Sequence, residues 1–305
     1  MVKKTTTLLL AASLLLSACG QNQEGANKDP ETGSQTETPT NGHQSVKDPN
    51  QEEVTPDAND STNTNGSSDS SNDKEDTSKE DTNEKQPSEQ TPVKPQYHIN
   101  KVFNIVPNDK ATEEKVVLLT FDDGPKDEKM INSLIDTLDK HEAKAIFFVN
   151  GYRVKQNPDL LKLIHERGQI IGNHSWDHID LKKESQVEAK KQIEDVQKIV
   201  MDTIGEKPKF FRPPFGSAGD HVKKIANDNN LLFMTWSNGS LDWESKSKNN
   251  PEAVINNVMD QLHPGSNILM HELPWTVEAL DKLLTKLEKK GYQFVDPQNI
   301  ELKMR

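Results

Sequence analysis

The sequence predicts an α/β fold, built as a small or incomplete (β/α) barrel over residues 97–305 of the 305-residue chain. Apolar runs of strand length alternate there with longer helical patterns, and repeated strand–helix units imply a parallel sheet. Most of the runs are continuously apolar, which is typical of strands covered on both faces. About seven strands in this length fit a small barrel better than an open sheet.

The elements are read in chain order from their periodicity. Apolar runs, most of them unbroken, predict strands at 115–121, 143–150, 169–173, 209–212, 231–236, 267–271 and 292–295. Helical spacing predicts helices at 127–141, 158–167, 184–204, 220–229, 251–262 and 276–290. Gly168, Gly205 and Gly291 follow three of these helices, as expected of C-terminal stop signals.

The chain ahead of the barrel is unusually polar. The whole chain has a net charge of −12 and only 31% hydrophobic residues. Residues 20–96 carry 17 acidic and six basic side chains and no aromatic residue, so they hold most of the excess charge. Such a segment cannot bury enough apolar surface to offset its ordering entropy, and we expect a disordered linker at 19–96. The acidic balance also argues against a nucleic-acid partner.

Residues 1–18 have the pattern of a bacterial lipoprotein signal peptide, with two lysines ahead of a short apolar run. The run is too short to span a bilayer. The sequence Leu16-Ser17-Ala18-Cys19 resembles the lipobox, in which the cysteine is lipidated and becomes the mature N-terminus. Cys19 is the only cysteine, so no intrachain disulfide is expected. We therefore expect a membrane anchor at Cys19 and an extracytoplasmic location; the alternative is an ordinary secretory signal with an incidental cysteine.

Reactive side chains follow five of the predicted strands, at the ends that a parallel barrel brings to one face. They are Asp122 and Asp123, His174 and His178, Arg212, Asp242 with Trp243, and His271. One such residue alone would most simply belong to a solvated loop. Five strand ends together indicate a single functional site.

Two of these groups have the composition of a metal site. His174 and His178 are four residues apart, a spacing that places both imidazoles on one face of a helical turn. A carboxylate from Asp122 or Asp123 would complete a three-ligand site with positions left for water and substrate. A metal held in this way lowers the pKa of its water and polarises a carbonyl oxygen.

The remaining groups have the composition of an acid–base pair. The carboxylate that does not bind the metal is left to act as a base, and Arg212 could hold it ionised and oriented. His271, on another strand, could serve as the general acid. The constellation predicts metal-assisted hydrolysis of an amide or an ester.

Five segments occur in the order of the motifs of one enzyme family. They are Thr120–Pro125 (TFDDGP), His174–His178 (HSWDH), Arg212–Gly216 (RPPFG), Leu241–Trp243 (LDW) and Ile268–His271 (ILMH). Together they resemble the polysaccharide deacetylases, the NodB-homology or carbohydrate esterase family 4 group, over about 116–295. The resemblance implies a distorted (β/α)7 barrel that removes N-acetyl or O-acetyl groups from polysaccharides.

The resemblance also implies a role for each motif residue. Asp122 is the base, positioned by Arg212, and His271 protonates the leaving amine. The ligands of a divalent metal, usually zinc with cobalt, nickel or manganese as alternatives, are Asp123, His174 and His178. The backbone N–H of Phe215 stabilises the oxyanion, and Trp243 and Leu269 line the groove near the acetyl methyl group.

One position departs from the family pattern. In many members a carboxylate four residues before the tryptophan of the fourth motif supports the acid histidine, and Gly239 occupies that position here. Members that act on bacterial cell-wall glycan can also lack it, so the glycine does not predict inactivity. We hypothesise that Asp242 partly replaces this carboxylate, or that His271 works without a carboxylate partner.

These features predict a monomeric, lipid-anchored deacetylase of N-acetylated glycan, with the N-acetylglucosamine or N-acetylmuramic acid of peptidoglycan as the expected substrate. Chitin-like oligomers, an exopolysaccharide and O-acetyl esters such as acetylxylan would use the same chemistry and stay open. A second class, a non-catalytic wall-binding or wall-stabilising protein that keeps the fold, is supported only by Gly239.

Overall fold

The computed structural model describes residues 94–305. The predicted signal peptide at 1–18, the lipidation site Cys19 and the predicted linker as far as residue 93 lie outside the described residues. The first strand begins at Tyr97, where the sequence places the start of the barrel domain. None of the helices within 94–305 combines the length and the apolar character that a membrane span requires.

The strands and helices follow one another in an α/β order. The strands are β1 Tyr97–Ile99, β2 Ile105–Pro107, β3 Val116–Gly124, β4 Ala145–Val149, β5 Ile170–Asn173, β6 Phe210–Phe211, β7 Leu232–Phe233, β8 Asn238–Gly239, β9 Ser266–His271 and β10 Gln293–Phe294. The helices are α1 Glu128–Lys140, α2 Gly151–Gln156, α3 Pro158–Glu166, α4 Gln186–Ile204, α5 Asp220–Asp228, α6 Pro251–Asp260 and α7 Pro274–Lys289. Short 3-10 turns lie at 214–216, 245–247 and 297–299.

The main sheet is a curled parallel sheet. Its strands are paired in the order β7-β6-β5-β4-β3-β9-β8, and β10 pairs with the start of β3. Strands β7 and β8 lie at opposite ends of this order, yet only residues 234–237 connect them. Because that connection spans at most about 18 Å, the two ends of the sheet must lie close together. The predicted α/β fold with a distorted barrel is therefore confirmed.

The sequence of each element explains its place in the core. Strand β4 is buried along its whole length, as its continuous apolar run predicts. Helix α1 buries Ile131, Leu134, Ile135 and Leu138, one face at helical spacing, against the sheet. Each of these side chains contributes about 1.5–3 kcal/mol by leaving water. Asp127 caps the helix by accepting a hydrogen bond from the Met130 N–H at 2.9 Å.

The sequence does not predict four short elements, which are β1, β2, α2 and β8. The β1–β2 hairpin and helix α2 are only three to six residues long, which is too short for a periodic pattern. Strand β8 consists of Asn238 and Gly239, neither of which is apolar. The single strand predicted at 231–236 is wrong in its extent: β7 covers two of those residues, and the chain then turns toward β8.

Candidate active site

The fold brings all five predicted groups to one rim of the barrel. Asp122 and Asp123 lie near the end of β3, His174 directly follows β5, and Arg212 directly follows β6. His271 is the last residue of β9 and is the register partner of Asp122 on β3. Since the strands are parallel, their carboxyl ends share one side of the sheet, and this side carries the site.

Asp123, His174 and His178 form a three-residue cluster whose ligating atoms all lie within 4.8 Å of one another. The Asp123 Oδ1 atom lies 3.1 Å from His178 Nε2 and 3.4 Å from His174 Nε2. That oxygen is buried and accepts no hydrogen bond from any residue within 94–305. An unsatisfied buried carboxylate oxygen facing two imidazole nitrogens fits a divalent cation.

The electrostatics of the cluster keep its carboxylate ionised. Burial alone would raise the pKa of Asp123, but the neighbouring imidazoles of His174, His271 and His178 hold that pKa well below its usual range. Burial lowers the pKa of His178, which favours a neutral ring. Deprotonated carboxylate and neutral imidazole are the forms that bind a metal.

The tautomer of His174 is fixed by its neighbour. Its Nδ1 lies 2.7 Å from the carbonyl oxygen of Arg212, and a carbonyl can only accept a hydrogen bond. The proton of a neutral ring therefore sits on Nδ1, which leaves the Nε2 lone pair directed toward Asp123. Such a partner on the outer nitrogen is the usual way in which a metal-binding histidine is oriented.

The segment between the two histidines is a loop, so the prediction of a helical turn is wrong. Ser175 and His178 have φ angles of 66° and 57°, which no α-helical turn permits. Helix α4 holds the loop instead: Gln192 Oε1 accepts the Asp177 N–H at 2.8 Å, and Gln192 Nε2 donates to Asp177 Oδ2 at 2.7 Å. Loop contacts such as these, and not helical periodicity, bring the two imidazoles together.

Asp122 is held by a buried ion pair. Its Oδ1 accepts a hydrogen bond from Arg212 Nη1 at 2.7 Å, and both side chains are almost completely buried. Arg212 also donates to Thr120 Oγ1 and to the Thr235 carbonyl, and its guanidinium stacks on Phe148 at 4.4 Å. Because Oδ1 is engaged, Oδ2 faces the cluster, 3.6 Å from His174 Nε2.

His271 is held in the same manner by Asp242. The His271 Nδ1 atom lies 2.7 Å from Asp242 Oδ1, and the His271 backbone N–H donates to Asp242 Oδ2 at 2.7 Å. Burial lowers the pKa of His271, but the hydrogen bond and charge of the fully buried Asp242 outweigh it and raise the pKa overall. A histidine with a raised pKa remains protonated to higher pH, as a general acid requires.

Asp242 accepts two further hydrogen bonds that no pattern in the sequence predicts. Thr276 Oγ1 donates to Asp242 Oδ2 at 2.6 Å, and Trp275 Nε1 donates to the Asp242 carbonyl at 2.7 Å. Both residues lie in the first turn of α7, where the helical pattern predicts no such contact. Thr120, by contrast, belongs to the TFDDGP motif, so its position in the sequence already indicates that it lies near the site and Arg212.

Gly239 occupies the position at which the resemblance described above would place a carboxylate. A Cβ atom added here would lie 3.5 Å from Leu241, 3.6 Å from Trp243 and 3.7 Å from Trp236 Nε1, which are ordinary contact distances. A Cβ atom at this position would therefore meet no steric clash. In this chain the carboxylate that contacts His271 is Asp242.

The remaining predicted residues surround the same rim. Phe215 has a φ angle of 59°, its backbone N–H has no acceptor among the described residues, and its 65% exposed ring packs edge-on against His178. Trp243 is 45% exposed and packs edge-on against His271 at 5.2 Å. Leu269 is buried on β9, in register with Thr120.

A large cleft lies elsewhere on the barrel. It has a volume of about 830 Å³ and is lined by Gln169, Ile170 and Phe210, at the start of β5 and β6. None of the predicted site residues borders it. The rim that carries the predicted site residues is therefore distinct from this cleft and presents exposed aromatic side chains instead.

Comparison with known proteins points to one family. The sequence model of the family described as polysaccharide deacetylase matches residues 109–234. The peptidoglycan-N-acetylglucosamine deacetylase of Bacillus cereus is 37% identical over 59% of this chain and 66% of its own length. The peptidoglycan-N-acetylmuramic acid deacetylase PdaA of Bacillus subtilis is 32% identical over 64% of this chain and 75% of its own. The match to the Listeria monocytogenes deacetylase PgdA, at 41% identity, spans only 39% of that relative.

A solved structure agrees with these sequence matches. The crystal structure of a carbohydrate esterase family 4 pseudoenzyme from Bacillus anthracis superimposes with a TM-score of 0.58 and 32% identity, over 63% of this chain and 67% of that one. The fold, the order of the motifs and the similarity over three quarters of PdaA lead to the same assignment. The chain belongs to the polysaccharide deacetylase family.

Proposed function

We propose that this protein is a metal-dependent deacetylase that hydrolyses N-acetyl groups of cell-wall glycan. The observation that carries the proposal is the placement of two proton-handling residues around a three-ligand cluster. Asp122 and His271 are register partners on adjacent strands. Asp123 is the next residue after Asp122, and its ligating oxygen lies within 4.8 Å of the ligating nitrogens of His174 and His178. A base, an acid and a metal site on one rim are the components that amide hydrolysis requires.

The metal would be held by Asp123, His174 and His178. Two imidazoles and a carboxylate suit zinc, and cobalt, nickel and manganese are alternatives for the same donors. When bound, the metal polarises the acetyl carbonyl and lowers the pKa of a coordinated water. The loss of one acetyl group leaves a free amine on the sugar and releases acetate.

The chain's own residues would move the protons. Asp122 Oδ2 accepts the proton of the attacking water, while Arg212 holds the other oxygen in place. The Phe215 N–H donates a hydrogen bond to the oxygen on which negative charge develops. His271 then gives its proton to the sugar nitrogen as the carbon–nitrogen bond breaks, and Asp242 stabilises the charged ring before transfer.

Peptidoglycan is the proposed substrate because the relatives at 32–41% identity are named for it. The exposed rings of Phe215 and Trp243 suit a sugar chain, since aromatic faces pack against the apolar faces of pyranose rings. N-Acetylglucosamine and N-acetylmuramic acid are both retained as targets, because each is named among these relatives. Chitin oligomers and O-acetyl esters are the comparison substrates.

A non-catalytic, wall-binding role is the second candidate, favoured by the structural similarity to a pseudoenzyme. The experiment that separates the two uses the full chain with purified peptidoglycan and Zn²⁺ or Co²⁺. Mass spectrometry of the muropeptides should show loss of acetyl groups and identify the sugar. Wall binding without acetate release from any of these glycans would favour the non-catalytic role.

Two variants test the assigned chemistry in the same assay. Asp122→Asn keeps the size of the side chain but removes the base, so turnover should fall about 10²–10⁴-fold while Co²⁺ still binds. The control is His174→Ala, which should lose Co²⁺ binding together with turnover. Full activity of the Asp122→Asn variant would rule out Asp122 as the base.

We also propose that the protein acts as a monomer at the extracytoplasmic face of the membrane, anchored through Cys19. The motif ending at Cys19 supports the anchor, and an N-acetylated wall polymer is accessible from that side. Cys19→Ala should abolish the incorporation of labelled fatty acid into the protein, because the acyl acceptor is lost. Labelling that persists in Cys19→Ala would contradict the anchor at this residue.

A further inference from the structure

Glu272 is a buried carboxyl that none of the roles above uses. It directly follows His271 at the end of β9 and is only 1% exposed. Its Oε2 accepts a hydrogen bond from the backbone N–H of Lys126 at 2.8 Å. Lys126 lies three residues after Asp123, so this bond joins the strand of the candidate acid to the loop of the candidate base and metal ligand.

Gly124 shows how tightly this carboxyl fits. A Cβ atom at Gly124 would lie only 1.9 Å from Glu272 Oε1, so no larger residue can occupy the position unless Glu272 moves. Gly124 is the residue after Asp123, and it belongs to β3. Glu272 therefore packs against the backbone of the segment that carries Asp122 and Asp123. It also accepts a hydrogen bond from that segment, from the Lys126 N–H.

The burial of this group is unfavourable in itself. Burial raises the pKa of Glu272 to about 7, although the Lys126 N–H and the charges of Lys126 and Arg153 act in the opposite direction. Its Oε1 is buried and has no hydrogen-bond partner within the described residues. A well-packed apolar side chain would stabilise this site at least as well, so stability alone does not explain a carboxyl here.

We propose that Glu272 is a positioning residue, which holds the Asp122–Asp123 loop at a fixed distance from His271. The proposal rests on the deacetylase function proposed above. Because β3 and β9 are adjacent strands, their backbones are already in register up to Asp122 and His271. Beyond that pair the backbone pairing of the two strands ends. The hydrogen bond from the Lys126 N–H to the Glu272 side chain is the next connection between the two segments.

Two variants separate the hydrogen bond from the volume of the side chain. Glu272→Gln retains an oxygen that accepts the Lys126 N–H, whereas Glu272→Met has a similar length and no comparable acceptor. We expect Glu272→Met to lower kcat about 10–100-fold and to weaken Co²⁺ binding about tenfold, with KM changed less than about twofold. Glu272→Gln should recover most of both losses.

Gln169 provides a matched control. It is also buried, and its Oε1 accepts the backbone N–H of Ala145 at 2.9 Å, at the opposite end of the barrel. Gln169→Met removes the same kind of bond far from the site. It should lower the stability of the fold while kcat and Co²⁺ affinity stay within about twofold of wild type.

Co²⁺ affinity is measured from the visible absorption of the bound ion, which requires no turnover. Wild-type kcat and Co²⁺ affinity in a folded Glu272→Met variant would overturn the proposal, as would equal losses in Gln169→Met. Should Glu272→Met not fold, Glu272→Ala replaces it in the same comparison. If the wild type releases no acetate from any glycan, the proposed function fails, and the Co²⁺ comparison still tests the position of Asp123.

Discussion

Both candidate proton-handling residues have one polar atom occupied by a buried partner. Arg212 engages Oδ1 of Asp122, and Asp242 engages Nδ1 of His271. The atoms left over, Oδ2 and Nε2, are those available to water and to the leaving amine. Rigid partners of this kind reduce the reorganisation needed in the transition state, because the reacting atoms are oriented before substrate arrives.

The contact between Asp242 and His271 gives a prediction on pH dependence. Asp242 raises the pKa of His271, so its removal by Asp242→Asn should lower that pKa. The acid must be protonated to act, and activity on the alkaline side should therefore be lost at a lower pH than in the wild type. The pH profile of kcat on glycan oligomers measures this limb.

Thr276→Val is the control for that variant. It removes the hydrogen bond to Asp242 Oδ2 but leaves the bond between Oδ1 and His271. We expect a loss of about 1–2 kcal/mol in unfolding free energy and a smaller displacement of the alkaline limb. An alkaline limb that does not move in Asp242→Asn would show that His271 works without a carboxylate partner.

The elements that carry the site differ in how well a sequence predicts them. Strands β3, β4 and β9 have continuous apolar runs, and their bounds were predicted to within a few residues. The two-residue strand β8 consists of Asn238 and Gly239 and contains no apolar residue. It belongs to the sheet through its pairing with β9, which a local sequence pattern does not show. Short elements that depend on tertiary pairing leave no local pattern, which explains why the curled end of the sheet was missed.

Helices α1 and α7 are joined by a histidine whose protonation affects stability. His141, which follows α1, contacts Asp281 Oδ1 at 2.8 Å and Glu288 Oε1 at 2.9 Å on α7. Burial lowers the pKa of His141, but these two carboxylates raise it overall. Since the folded-state pKa is above the unfolded value, the pairing is complete below about pH 6.5 and is lost as the pH rises through the folded pKa.

His141→Gln should therefore destabilise the fold more at about pH 6 than at about pH 9. The carboxylates are about half exposed, so we expect a difference of about 0.5–1 kcal/mol in unfolding free energy, from urea titrations. His98→Gln is the control, because His98 bonds to the uncharged amide of Asn108. Equal losses for His141→Gln at both pH values would contradict the charged pairing.

At the scale of the whole molecule, the sequence predicts which residues meet better than it predicts how they are held. Parallel strands place their ends on one rim, so Asp122, His174, Arg212 and His271 could be grouped from their positions alone. The loop geometry at His174–His178 was mispredicted, because the contact of Asp177 with Gln192 on α4 depends on folding. The sequence does not predict a role for Glu272, since a single carboxylate after a strand has no distinctive spacing.

The candidate metal site joins β3 to the loop after β5, so binding of a metal ion there should stabilise the entire domain. A ligand that binds only the folded state adds about 2.7 kcal/mol when its concentration is one hundred times Kd. For a domain of this size each kcal/mol raises Tm by about 2–4 °C, and removal of the metal with a chelator should lower Tm by about 5–10 °C. Scanning calorimetry with and without excess Zn²⁺ measures the change. Asp123→Ala lacks one ligand, so a chelator should change its Tm only slightly. An equal decrease in Tm in the wild type and in Asp123→Ala would place the stabilising metal outside the Asp123–His174–His178 cluster.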